Sequence, residues 1–184
     1  MSKLRTSAAA LVAAALTLSA CSGDGSLIFG TSYLSYSTTV PRVAASEGPV
    51  PVAVSDGAPM APAAVVAAMN ALPNLYKLKF SADAKPGASG YRIALSFDKN
   101  VTNPCLSDQT GAYPWPQTQG NGHVVAGFCR FGGLISRTAG VFPQPQAPND
   151  PRFEKFLSAI VNELLPHLEP DRIGGCSRPN VNGC

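Results

Sequence analysis

The sequence has little charge, only two histidines and a single tryptophan, and these shortages exclude several classes of protein. Only 14% of the 184 residues are charged, whereas 45% are hydrophobic, so the chain is not strongly disordered. The formal net charge is +3 and the basic residues are scattered, so no nucleic-acid partner is predicted. The length suits one domain, or one domain with a tail.

The sequence also lacks the motifs that usually identify an active site. It contains no G-x-S-x-G elbow, no glycine-rich phosphate loop between a strand and a helix, and no C-x-x-C pair. His123 and His167 have no identifiable nucleophile or orienting carboxylate beside them in the sequence. We therefore interpret the protein as non-catalytic, with no cofactor and no metal. The alternative is a hydrolase that uses His123 or His167 with a carboxylate that no motif identifies.

The first twenty-one residues are typical of an export signal. Lys3 and Arg5 precede residues 8–18, which are apolar except for one threonine. This run is far shorter than the roughly 20 residues that a membrane-spanning helix needs, so it predicts a signal peptide. It ends in Leu18-Ser19-Ala20-Cys21.

This leader resembles those of bacterial lipoproteins, and its last four residues are similar to the lipobox that the lipoprotein signal peptidase recognises. The resemblance implies cleavage before Cys21, followed by acylation of its thiol and its new amine with chains such as palmitate. Three acyl chains exceed the two signals that stable anchoring requires. Ser22 stands where Asp would favour the inner membrane, which favours the outer membrane and a periplasm-facing domain. The alternative is an ordinary secretory peptide with a chance cysteine.

Composition divides the chain into a signal peptide at residues 1–20, a lipidated tether at 21–61 and a domain with a polar tail at 62–184. Residues 22–61 hold four prolines and four charged residues. A flexible coil of that length would place the domain about 35 Å from the lipid. Residues 27–40 are rich in β-prone side chains and have a second interpretation, as an edge strand of the domain or a strand added to a partner.

Hydrophobic periodicity predicts two helices and four strands in the domain. The predicted elements are a helix at 62–72, strands at 75–80, 91–97, 123–130 and 134–142, and a helix from Pro151 to Pro166. Asp150 is the expected N-cap of the last helix. This order predicts an α+β fold, a small antiparallel sheet of about four strands with an N-terminal and a C-terminal helix packed on it.

Four cysteines remain after the lipidated one: Cys105, Cys129, Cys176 and Cys184. Because the periplasm is oxidising, we expect two disulfides that staple the fold. Three pairings are possible, and we favour Cys105–Cys129 together with Cys176–Cys184. A metal site of His123, Cys105 and Cys129 is the rival interpretation, but these spacings match no standard zinc pattern.

The candidate binding residues lie in and after the long connection at 98–122. Tyr113 and Trp115 are separated by a proline in a stiff segment, and exposed aromatic side chains are common binding anchors. Trp115 has a second interpretation, as a cap on an apolar face. Arg130 and Arg137 flank a predicted hairpin and suit an acidic partner, or are solvated edge charges. We expect a membrane-anchored envelope lipoprotein that binds an envelope protein or glycan, or serves as an assembly module.

Overall fold

A computed structural model of the chain describes residues 25–55, 57–83, 85–98, 100–106 and 121–168. Its elements in chain order are β1 (Leu27–Tyr33), α1 (Thr39–Ser46), β2 (Val50–Val54), α2 (Pro62–Ala71), β3 (Phe80–Ser81), β4 (Tyr91–Ser96), β5 (Asn121–Arg130), β6 (Gly133–Pro143) and α3 (Pro151–Leu164). The strands form one sheet in the order β1-β6-β5-β4-β2-β3. In the part of the chain described, no helix is long and apolar enough to cross a membrane.

The predicted sheet of about four antiparallel strands is wrong in strand number and in direction. The sheet has six strands and is mixed, because β2 runs parallel to both β3 and β4. The parallel pair arises because α2 connects β2 to β3 as a crossover, and a helical crossover returns the chain to the same end of the sheet. The broader prediction of a mixed helix-and-strand domain with a disulfide is confirmed.

The two unpredicted strands come from residues assigned to the tether. Residues 27–54 form β1, α1 and β2 instead of a flexible linker, and β1 is an edge strand, as the second interpretation of residues 27–40 had it. The prolines that suggested a linker occupy permitted positions. Pro41 lies in the first turn of α1, and Pro51 lies in β2 beside the two-residue strand β3.

The predicted strand at 75–80 is mostly irregular, and only Phe80 and Ser81 pair with β2. Lys77 has a φ of 54°, which interrupts an extended run. The side chain of Asn74 accepts from the amide of Leu78 at 2.8 Å and donates to its carbonyl at 2.8 Å. A side chain that satisfies both backbone groups competes with strand pairing.

The remaining elements follow the sequence prediction closely. The predicted α2 and α3 begin at Pro62 and Pro151, and β4, β5 and β6 form the expected antiparallel strands. Asp150 caps α3, since its carboxylate accepts from the amide of Arg152 at 3.0 Å. The Arg152 guanidinium and the Gln146 amide also bind this carboxylate, and together they hold the pKa of Asp150 well below its usual range.

One face of the sheet is covered by α2 and α3, and the main core lies between them. Phe142 of β6 contacts Phe153 and Phe156 of α3, with ring centroids 5.1 and 5.0 Å from its own. Ile93 of β4 and Phe128 of β5 are paired neighbours in the same core and are fully buried. The amphipathic stripe of α3 therefore faces the sheet, as its sequence periodicity predicts.

The C-terminus of α3 is held by side chains from β1 and β6. Tyr33 donates its hydroxyl to the carbonyl of Glu163 at 2.7 Å, and Ser136 donates to the carbonyl of Leu164 at 2.7 Å. The amide of Leu165 reaches the carbonyl of Val161 at 3.0 Å. The side-chain donors thus satisfy the carbonyls of Glu163 and Leu164, which have no partner inside the helix.

Replacing Ser136 with Ala should destabilise the fold, because it leaves the buried carbonyl of Leu164 without its donor. We expect a loss of about 2 kcal/mol in the free energy of unfolding, measured by urea denaturation. Ser35→Ala is the matched control, since Ser35 is exposed and its substitution should change the value by less than about 0.5 kcal/mol. Equal effects of the two substitutions would contradict the capping role.

Candidate functional site

Several predicted site residues lie outside the described residues, namely Cys21, Tyr113, Trp115, Cys176 and Cys184. The disulfide between Cys105 and Cys129 is confirmed, with an S–S distance of 2.07 Å. No group of three or more His, Cys, Asp or Glu side chains that could hold a metal ion occurs within the described ranges.

The second face of the sheet, opposite the helices, is covered at residues 101–106 by the start of the long connection. The disulfide joins this segment to β5 through Cys129. Arg92 of β4 donates from Nη2 to the carbonyl of Cys105 at 2.8 Å. Arg137 of β6 donates from Nη1 to the carbonyl of Thr102 at 3.0 Å. The structure therefore places Arg137 in a clamp on the connection, two strands from Arg92.

A glycine in β5 lets this segment lie directly on the sheet. A Cβ atom at Gly127 would stand 2.8 Å from Cγ of Pro104 and 3.2 Å from Sγ of Cys105. These distances are too short for a side chain, so the close approach needs glycine. The disulfide, the two arginines and this close approach together fix one end of the long connection.

Removing the disulfide by Cys105→Ala with Cys129→Ala should lower the free energy of unfolding by about 3 kcal/mol, because the bridge closes a loop of 24 residues. Urea denaturation with and without dithiothreitol measures the effect. The reductant should bring the unfolding midpoint of the wild type to that of the equally reduced double variant. A variant that unfolds at the wild-type midpoint would refute this role.

Arg130 belongs to a different group, at the turn between β5 and β6. Its guanidinium carbon lies 5.5 Å from the ring centroid of Tyr91 and 5.5 Å from that of Phe131, within range of cation–π attraction. Its Nε donates to the carbonyl of Ser89 at 3.2 Å. We call Ser89, Gly90, Tyr91, Arg130 and Phe131 the hairpin platform.

Phe131 is exposed for 71% of its surface and has a φ of 49°. With Gly132 it forms the two-residue turn of the hairpin, a position where Asn-Gly is usual. The left-handed conformation costs a residue with a side chain about 1–2 kcal/mol. Sequence reasoning named Arg130 and missed Phe131, although Phe-Gly in place of Asn-Gly at a predicted turn was the available signal.

Two further sets of contacts, made by Gly90 and by Glu47, hold the hairpin platform together. Gly90 has a φ of 68°, and a Cβ there would stand 2.3 Å from two ring atoms of Phe131, so the ring lies on the Gly90 backbone. The Phe131 amide donates to the Gly90 carbonyl at 3.1 Å. Glu47 accepts from the amide of Ser89 at 3.0 Å and from its hydroxyl at 2.6 Å. These contacts order the residues of the platform within the chain itself.

The sheet has two ends that differ in their exposed side chains. We call the end where β1 begins the leader end, and the end that holds the β5–β6 turn the hairpin end. The hairpin end also holds the end of β1, because Tyr33 pairs with Ser136 and the amide of Leu34 reaches the carbonyl of Ile135. The exposed large hydrophobic side chains of the described residues are Leu34, Val43, Leu75, Phe131 and Leu168.

All five of these side chains belong to the hairpin end. Leu34 follows β1, Phe131 is in the turn, and Val43 is on α1, which joins the end of β1 to the start of β2. Leu75 and Leu168 flank a tyrosine cluster past α3. In that cluster Tyr36 and Tyr76 donate to the carbonyl of Pro166 at 2.5 and 2.8 Å.

The two histidines lie at opposite ends of the molecule. His123 is half-buried on β5, opposite Val141 and so near the start of β1 at the leader end. His167 is exposed and follows Pro166 at the hairpin end. The geometry therefore provides no site that uses both.

Comparison of the chain with protein-family models, with curated proteins and with solved structures finds no match in any of the three.

Phe131 should matter little for stability, because its strained backbone offsets the small surface that its ring buries. We expect Phe131→Gly to change the free energy of unfolding by less than about 1 kcal/mol, since glycine relieves the positive φ. The matched control is Phe128→Ala in the core, which should cost about 3–5 kcal/mol. Urea denaturation of both variants makes the comparison, and a large loss for Phe131→Gly would show that the ring serves the fold.

Proposed function

We propose that the protein is a membrane-anchored envelope lipoprotein that acts as a non-catalytic binding or assembly module. One observation carries this proposal: all five exposed large hydrophobic side chains of the described residues lie at the hairpin end, whereas the chain enters the fold at the leader end. A lipid on Cys21 would therefore hold the domain by the end opposite its apolar surface.

The length of chain between the proposed lipid and the sheet supports this orientation. Cys21 is six residues before Leu27, the first residue of β1. Six residues reach at most about 20 Å when fully extended, less than the 35 Å average of the flexible tether expected from composition. The leader end then lies close to the membrane. Since β6 has 11 residues, the hairpin end stands about 35 Å further out.

The character of the exposed side chains supports a protein as the partner. Four of the five are aliphatic, and several exposed apolar side chains at one end of a domain suit a protein partner. Glycan sites rely more on aromatic faces with many hydrogen-bonding groups around them. The hairpin end holds one exposed aromatic ring among these five.

The anchor is tested by Cys21→Ser in the full chain, expressed in its host cells and fed a clickable palmitate analogue. We expect the variant to lose all lipid label and to leave the membrane pellet or remain uncleaved, because the acylated thiol is gone. Cys176→Ser with Cys184→Ser is the control, and it should keep the label. Persistent labelling of Cys21→Ser would refute the anchor.

A further inference from the structure

We propose that the hairpin platform is the anchor point for a partner protein, and that it takes an acidic side chain next to an apolar one. This inference rests on the proposed binding function and names the chemistry of the surface that performs it. The apolar side chain of the partner would pack on the exposed ring of Phe131, and the carboxylate would bind the guanidinium of Arg130.

The guanidinium of Arg130 has hydrogen-bond donors that no described residue uses. Its Nε is bound to the carbonyl of Ser89, whereas the four N–H groups on its two Nη atoms have no acceptor among the described residues. The nearest carboxylate along this group of contacts, Glu47, already accepts two hydrogen bonds from Ser89. A planar guanidinium with both Nη atoms free suits a carboxylate, which it binds through two parallel hydrogen bonds.

Two aromatic rings lie within cation–π range of this guanidinium and favour one position for it. Arg130 lies at 5.5 Å from the centroids of both Tyr91 and Phe131, so a partner would bind a side chain that is already ordered. Preorganised arginine and aromatic side chains are the residues that most often dominate binding energy in protein interfaces. Phe131 supplies the apolar part of the platform and the neighbouring Arg130 supplies the charge. The guanidinium of Arg130 also lies within cation–π range of the Phe131 ring.

Phe131 is exposed in a backbone conformation that a side chain seldom adopts. A residue with a side chain held at a strained position of this kind motivates a functional hypothesis for that position. Four other exposed hydrophobic side chains belong to the same end of the sheet and are available to a protein partner, which favours a protein over a glycan.

The test is site-specific photo-crosslinking of the full, membrane-bound chain in its host cells. The crosslinking amino acid p-benzoylphenylalanine is placed at position 131, at positions 43 and 75 elsewhere on the hairpin end, and at position 155 on α3 as a control. We expect an adduct from position 131 and none from position 155. Peptide mapping should place the crosslinked site of the partner within about three residues of an Asp or Glu.

Charge variants decide the role of the guanidinium. With the crosslinker at position 131, Arg130→Gln and Arg130→Glu should each lower the adduct yield by at least tenfold, and Arg130→Lys should lower it less. Lys155→Glu makes the same charge change on an exposed residue away from the platform and should leave the yield unchanged. Circular dichroism checks that each variant is folded.

The opposite results separate this inference from the proposed function. Four results would each overturn the inference. The first is adducts from positions 43 and 75 with none from 131, and the second is an unchanged yield in Arg130→Glu. The third is a partner site without an acidic residue, and the fourth is an adduct to a glycan. The first three of these would leave a protein-binding module in place. No adduct from any position on the hairpin end would overturn both.

Discussion

The attachment of α3 to the strand that begins the described fold is the interaction on which the rest of the structure depends. The hydroxyl of Tyr33 and the carbonyl of Glu163 are 130 residues apart in sequence, yet they meet at 2.7 Å. Ser136 makes the same kind of contact from β6. Because Tyr33 supplies one of the donors at the helix end, the pairing of β1 with β6 helps to hold the last turn of α3. The N-terminal strand is thus part of the domain and cannot act as a loose tether.

The two faces of the sheet are stabilised by different means. The helix-covered face depends on packing, in which the rings of Phe142, Phe153 and Phe156 fill the space between β6 and α3. On the second face a small buried apolar cluster surrounds the disulfide, Val125, Ala139 and Val141 are buried as well, and covalent and polar ties add to this packing. Arg92 and Arg137 act as part of those ties. These ties explain why Arg137, which the sequence suggested as a contact for an acidic partner, is half-buried.

Strong local signals made some of the fold predictable. Asp150-Pro151 and the apolar stripe that follows it predicted α3, and the alternation from Tyr91 onwards predicted β4. These predictions succeed because capping and periodicity act within one element. The segment at 27–54 was misjudged because its pairing partners lie far away in sequence. Its prolines and small residues are typical of a linker, and its pairing with β6 and β4 is what makes it part of the sheet. In the candidate site, Arg130 was identifiable by charge, whereas the exposure of Phe131 follows from a turn conformation.

The hairpin platform combines features that do not serve folding alone. A two-residue turn is most stable with Asn-Gly, yet this one holds a phenylalanine at a φ of 49°. Its ring lies on the backbone of Gly90, which has a positive φ of its own and no room for a Cβ atom. Arg130 lies within cation–π range of two rings, and its Nη atoms have no acceptor among the described residues. The positive φ of Phe131 costs stability, whereas the cation–π contacts of Arg130 offset part of that cost. Together these residues place a cation beside an exposed apolar ring, and this is the arrangement on which the proposed binding role rests.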